Sequence, residues 1–139
     1  MRQTYSWPGK TILIAEDAET SIQYFAAALA HSELNILWAG NGFEAVELYK
    51  NNPHIALILM DLDMPGMDGL DATRAIRSLS STVPIVAQTA HVLLADSLAG
   101  SEAGCTDFIT KPISLSVLLK TIDRFLNSGR TSKSRITDH

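Results

Sequence analysis

Acids, a hydroxyl and a lysine follow the apolar runs of this chain in a regular way. Thr11-Ile-Leu-Ile-Ala15 stops at Glu16-Asp17, and Ile55-Ala-Leu-Ile-Leu-Met60 stops at Asp61. Val83-Pro-Ile-Val-Ala87 leads to Thr89, and Asp107-Phe-Ile-Thr110 is followed at once by Lys111. Each has an ordinary explanation alone, because acids after a strand often cap the next helix and a lysine is usually solvated. Capping gives no reason for all of them to stand at strand ends. Gathered at one edge, two carboxylates at ~4 Å repel by about 4 kcal/mol at an effective dielectric of 20. Three stay ionised only if a cation shares the site; otherwise one takes up a proton. Carboxylates with water and carbonyl oxygens suit Mg²⁺, which takes phosphate as a further ligand. Lys111 offers a point charge for an anion and Thr89 a hydroxyl donor. No Ser or Cys stands beside a base, so the natural nucleophile is a carboxylate. The expected chemistry is phosphoryl transfer, with Mg²⁺ bridging an aspartate and a phosphate while the aspartate attacks phosphorus.

The elements that must position these groups alternate. After the first strand, Thr20 to His31 carries Ile22, Phe25, Ala26 and Leu29 at helical spacing. Asn35 to Ala39 reads as a strand, and Gly42 to Lys50 as a helix with Phe43, Val46 and Leu48 along its turns, stopped by Asn52-Pro53. Ile55 to Met60 is apolar on every residue, as a strand covered on both faces should be. Asp68 caps a helix expected to reach Leu79. Val83 to Ala87 makes a fourth strand with Pro84 near its start. A helix from about Leu93 to Ala103 closes on Gly104. Asp107 to Thr110 is a fifth strand, and Ser114 caps a last helix with Val117, Leu118, Ile122, Phe125 and Leu126 in one stripe. Five strand–helix repeats imply an α/β fold of parallel strands joined by right-handed crossovers, with helices on both faces. Ligands of such sheets bind outside the carboxyl ends of the strands.

On Ile12-Leu-Ile-Ala-Glu-Asp17, Leu59-Met-Asp-Leu-Asp-Met-Pro-Gly-Met-Asp-Gly69, Pro84-Ile-Val-Ala-Gln-Thr-Ala90 and Gly104 with Phe108-Ile-Thr-Lys-Pro112, the chain resembles a response-regulator receiver domain of two-component signalling. The resemblance covers about Lys10 to Leu126. It implies a flavodoxin-like doubly wound (βα)5 sandwich with sheet order 2-1-3-4-5. It implies that Asp61 accepts phosphate from a phosphohistidine, and that Mg²⁺ is held by Glu16, Asp17, Asp61 and the backbone carbonyl of Asp63. Thr89 and Ala90 would bind the phosphoryl group, Lys111 would pair with it, and Phe108 would turn inward on activation. A cis Lys111–Pro112 bond is implied as well. The partner would be a histidine kinase or a histidine phosphotransfer protein. The face of helix 4, strand 5 and helix 5 would change shape, with a homodimer as one outcome. Trp7-Pro-Gly-Lys-Thr-Ile-Leu-Ile and Thr89-Ala-His91 look most like receivers attached to hybrid histidine kinases.

Two departures matter. Glu16 stands where the family more often has Asp, lengthening one arm of the metal site by a methylene. Asp63 is a third acid in a loop where the family varies. Asp63 and His91, two residues beyond Asp61 and Thr89, should flank the path of water to the phosphoryl group and tune its lifetime. Two rival readings use parts of the same residues. Asp61-Leu-Asp63 resembles the nucleophile loop of haloacid-dehalogenase-type phosphatases, but that family puts it on the first strand with a metal-binding acid pair much later, whereas here the acid pair Glu16-Asp17 comes first. Gly40-Asn-Gly42-Phe-Glu-Ala45 fits a dinucleotide fingerprint with Asp61 about 20 residues on. It leaves Glu16, Thr89 and Lys111 unexplained, and is otherwise a turn with Asn41 or Gly42 at positive φ.

Composition bounds the rest. The 139 residues fit one domain: 10–127 as the receiver, 1–9 as an N-terminal linker and 128–139 as a polar tail. Net charge is 11 − 15 = −4, without the basic footprint that nucleic-acid binding needs. The longest apolar runs are far short of a membrane span, no secretory signal opens the chain, and one cysteine, Cys105, makes no internal disulfide. A cytoplasmic protein is expected. No output domain is expected after Leu126, so output would run through contacts or onward phosphotransfer. The sequence does not decide whether Trp7 folds back on the domain.

Overall fold

Every residue of Thr11–Ala15, Leu57–Asp61 and Ile85–Thr89 is buried, so these strands belong inside a sheet covered on both faces. The computed structural model describes residues 5–64, 66–90 and 94–127, with the backbone alone for 94–98. The elements are β1 (Thr11–Ala15), α1 (Glu19–Ala28), β2 (Asn35–Ala39), α2 (Gly42–Asn51), β3 (Leu57–Asp61) and α3 (Gly69–Arg77). They continue as β4 (Ile85–Thr89), α4 (Leu94–Ala103), β5 (Asp107–Thr110) and α5 (Leu115–Asn127). All pairings are parallel and the order is β2-β1-β3-β4-β5, as the resemblance implies. β2 and β5, at the edges, are only partly buried.

Alternation along the strands divides the interior in two. Leu13, Ala15, Ile58, Met60 and Ile85 pack with Ala45 and Tyr49 of α2 and Ala72 and Ile76 of α3. Ile12, Ile14, Leu57, Leu59 and Val86 pack with Phe25 of α1 and Leu118 and Ile122 of α5. Full burial of each large side chain contributes about 1.5–3 kcal/mol, so the sheet is fixed from both faces. Trp7 joins the second cluster at 3% exposure. Its backbone N–H donates to Ser32 O at 2.7 Å, its indole N–H to Asp123 Oδ1 at 3.0 Å, and Tyr5 stacks on its ring. The segment read as a linker, residues 1–9, therefore contributes a core residue.

Several boundaries shift for physical reasons. β3 and β4 begin two residues later than their apolar runs and extend to Asp61 and Thr89 themselves. Pro84, which has no N–H, lies just outside β4 while its carbonyl accepts from Ile58 N. α1 ends at Ala28 rather than His31. The expected positive φ at Asn41 or Gly42 is not found: Asn41 is extended at φ −162 and caps α2 by accepting from Glu44 N. Glu44 Oε1 in turn accepts from Gly40 N at 2.6 Å, so that turn is closed by the chain's own carboxylate. Phe43 and Val117, placed on apolar stripes by spacing, are 63% and 45% exposed. Asp68 caps α3 as expected, Ser114 Oγ accepts from Val117 N at the start of α5, and Gly104 follows α4 at φ +113. Among the described residues, no helix is long and apolar enough to cross a membrane.

Candidate functional site

Strand register brings the acids together. Ala15 pairs with Met60, so Glu16 and Asp61 emerge side by side at the carboxyl ends of β1 and β3. β1 is also where the order reverses, since its neighbours are β2 on one side and β3 on the other. The crossovers leave in opposite directions and open a crevice there. One carboxylate oxygen each from Glu16, Asp17 and Asp61 lies within 4.8 Å of the others. Glu16 and Asp61 are 1% exposed and Asp17 faces solvent.

The hydrogen bonds give each carboxylate a distinct state. Asp61 Oδ1 accepts from Lys111 Nζ and from Asp63 N, both at 2.9 Å. Asp61 Oδ2 takes neither bond. Glu16 Oε2 accepts from Ala18 N at 3.1 Å, while Glu16 Oε1 is buried with no hydrogen-bond partner. Burial first, and then Asp61, push the Glu16 carboxyl up from the ordinary 4.5 to about 7; Lys111 acts weakly the other way. Burial alone would lower the Lys111 ammonium, but Asp61, Glu16 and Asp63 outweigh it and the net direction is upward.

This donor set fits a hard divalent cation. Three carboxylates converge, one oxygen is buried without a partner, and the Glu16 carboxyl resists ionisation because it is buried beside Asp61. Lys111 is committed to Asp61 and neutralises only one acid.

Thr89 and Ala90 complete the edge. Thr89 is 5% exposed, and its hydroxyl donates to Asp63 Oδ2 at 3.5 Å, as does Ala90 N at the same distance. These contacts are long and weak. They turn the Asp63 side chain toward the two donors at the end of β4, beside Asp61. Phe108 is half-buried on β5, with its ring against α4: a Cβ at Gly100 would stand 2.4 Å from Phe108 Cε1. Lys111–Pro112 is cis. His91 lies outside the described residues.

Sequence reasoning missed Gln88, the register partner of Asp61. It is 1% exposed and neither of its amide atoms has a hydrogen-bond partner. A lone amide inside Ile85-Val-Ala-Gln-Thr89 was the available signal. Cys105, the single cysteine, is half-buried; burial pushes its thiol up, against Thr73 and Arg77.

Comparison with known proteins agrees with this geometry. The family model described as the response regulator receiver domain matches residues 12–123. Hybrid signal transduction histidine kinase I of Dictyostelium discoideum is 30% identical over 135 residues, covering 88% of this chain; the chain spans 8% of that protein. The receiver domain of sensor histidine kinase PA1611 from Pseudomonas aeruginosa has magnesium in its active-site cleft. It matches at 30% identity and TM-score 0.78, over 86% of this chain and 98% of that one. A receiver domain from Saccharomyces cerevisiae, solved with a histidine phosphotransfer protein, matches at 30% identity and TM-score 0.80, over 88% and 91%. The chain belongs to the response regulator receiver domains of two-component signalling.

Proposed function

We propose that Asp61 is the phosphoacceptor of a two-component phosphorelay in the cytoplasm, taking its phosphoryl group from a phosphohistidine of a histidine kinase or histidine phosphotransfer protein. The observation that carries this reading is the asymmetry of Asp61. Its Oδ1 is held by Lys111 and the Asp63 N–H, which leaves Oδ2 to attack phosphorus in line with the leaving imidazole. Glu16, Asp17, Asp61 and the Asp63 carbonyl would hold Mg²⁺, which when bound neutralises the acids and draws charge from the phosphoryl oxygens. Lys111 stays within reach of the new phosphoryl group and balances its charge. The Thr89 hydroxyl and the Ala90 N–H turn from Asp63 Oδ2 to a phosphoryl oxygen, a stronger acceptor. Asp63, displaced from those donors, is left beside the path of water; it and His91 are proposed to tune the lifetime of the phosphoryl group.

Movement of Thr89 toward the phosphoryl group opens space toward β5, into which Phe108 turns from its place against Gly100. The α4–β5–α5 face changes shape and presents itself to a partner or a second copy. The test is incubation of the chain with Mg²⁺ and acetyl phosphate, read by intact mass. One added phosphoryl group is expected, absent in Asp61→Asn and in excess chelator. Labelling that persists in Asp61→Asn would overturn the assignment.

A further inference from the structure

Gln88 is buried beside the acidic cluster with its amide unused. It is 1% exposed, and neither Oε1 nor Nε2 has a hydrogen-bond partner. Such an amide is costly, and each one in a native protein calls for an explanation. Packing does not require it, because Val86, two residues earlier on the same face of β4, joins the apolar cluster. Register shows which groups lie near. Gln88 stands beside Asp61 on the adjacent strand, and both face the α1/α5 side, as Val86 and Leu59 do. β4 separates β5 from β3, yet Lys111, just past the end of β5, bonds Asp61 Oδ1 at 2.9 Å. The Lys111 side chain therefore reaches Asp61 across the end of β4, where Gln88 lies. Gln88 and Lys111 also line one hollow with Phe25.

Before phosphorylation the amide has nothing to bind, because Lys111 donates directly to Asp61 Oδ1. Transfer changes this. Once Asp61 Oδ2 carries the phosphoryl group, the Lys111 ammonium turns from Oδ1 toward the new negative charge. Asp61 Oδ1 then lacks its donor, and the ammonium, which has three N–H groups, passes the amide with one to spare. We infer that Gln88 is a positioning residue for phosphotransfer: its Oε1 accepts from Lys111 Nζ and its Nε2 donates to Asp61 Oδ1 as the ammonium moves to the phosphoryl group. This rests on the phosphoacceptor reading of Asp61. An amide suits both bonds, because it sets an acceptor and a donor side by side without adding charge where three acids already converge. Unpaired before transfer and paired as it proceeds, Gln88 favours the transition state over the resting protein.

The test uses the full chain with Mg²⁺ and acetyl phosphate: the Asp61 Oδ2–P bond forms as the donor's acyl O–P bond breaks and acetate leaves. Gln88→Met keeps the volume and removes the amide. It should slow phosphorylation about tenfold, the worth of one hydrogen bond to a charged group, with the dependence on acetyl phosphate concentration unchanged. It should also raise the melting temperature of the unphosphorylated protein by about 2–5 °C, since an unpaired buried amide is gone. In a Lys111→Ala background the same substitution should cost less than about twofold, because Gln88 acts through Lys111. The Gln88 side-chain amide signals of ¹⁵N-enriched protein should shift on phosphorylation. Equal rates, a lower melting temperature in Gln88→Met, the same loss without Lys111, or Gln88 signals that stay in place would each overturn the inference. Phosphorylation at Asp61 that ignores Gln88 overturns this inference alone. A wild type that takes up no phosphoryl group, or uptake that persists in Asp61→Asn, overturns the phosphoacceptor reading and this inference with it.

Discussion

Glu16 is the residue whose environment and task are most at odds. It is buried next to another acid, with Ala18 N–H its one hydrogen-bond donor. Its carboxyl therefore sits near 7 rather than 4.5. A raised acid binds protons more readily in the folded than in the unfolded chain, so its stabilising contribution is complete below 4.5 and lost as pH rises through about 7. Without metal, the melting temperature should fall between those limits. Glu16→Gln, which keeps the acceptor for Ala18 and removes the charge, should flatten that slope. It should also raise the melting temperature at pH 8 by about 2–5 °C. Thermal unfolding in chelator at several pH values checks both; a parallel slope in wild type and variant would show that the acid is not the source. The same variant should bind Mg²⁺ less well, a trade of function for stability.

Elements meet the site through glycines, and two of them make opposite demands. A Cβ at Gly69, the first residue of α3, would stand 2.5 Å from Asp61 O and 2.8 Å from Leu62 Cα. Backbone at the end of β3 has nowhere to go. A Cβ at Gly100 would meet only the Phe108 ring edge at comparable distance, and a ring can turn. Gly69→Ala should therefore cost about 1–3 kcal/mol by overpacking. Gly100→Ala should be nearly neutral, because alanine's better helix propensity, about 1 kcal/mol, offsets the displaced ring. Urea midpoints compare them, and a larger loss in Gly100→Ala would reverse the argument. Elements were also the most legible level of the sequence. Apolar runs and caps gave all ten, because period and cap chemistry are local. The chain positions of Glu16, Asp17, Asp61, Thr89 and Lys111 were legible for the same reason. The state of each was not: the raised Glu16, the Asp63 carboxylate turned toward Thr89, and the unpaired Gln88 all depend on strands meeting in register. Phe43 and Val117 misled because helical spacing does not say which arc of a helix meets the sheet.

At the scale of the molecule, Trp7 decides where the cooperative unit begins. It is buried against the α1/α5 side of the sheet and hydrogen-bonded to Asp123, 116 residues away. Trp7→Ala should cost about 3–5 kcal/mol, as aromatic truncations in cores do, whereas Trp7→Phe loses the Asp123 bond and about 1 kcal/mol. Equilibrium unfolding measures both; a loss under about 0.5 kcal/mol in Trp7→Ala would mean residues 5–9 lie outside the unit. The Trp7–Asp123 bond has a further consequence for assembly. It ties the two ends of the described fold at one place, so chain enters and leaves through neighbouring doors. A domain wired in this way is a cassette: it can be spliced into a longer polypeptide, or have its natural ends joined and be reopened elsewhere, with its sheet undisturbed.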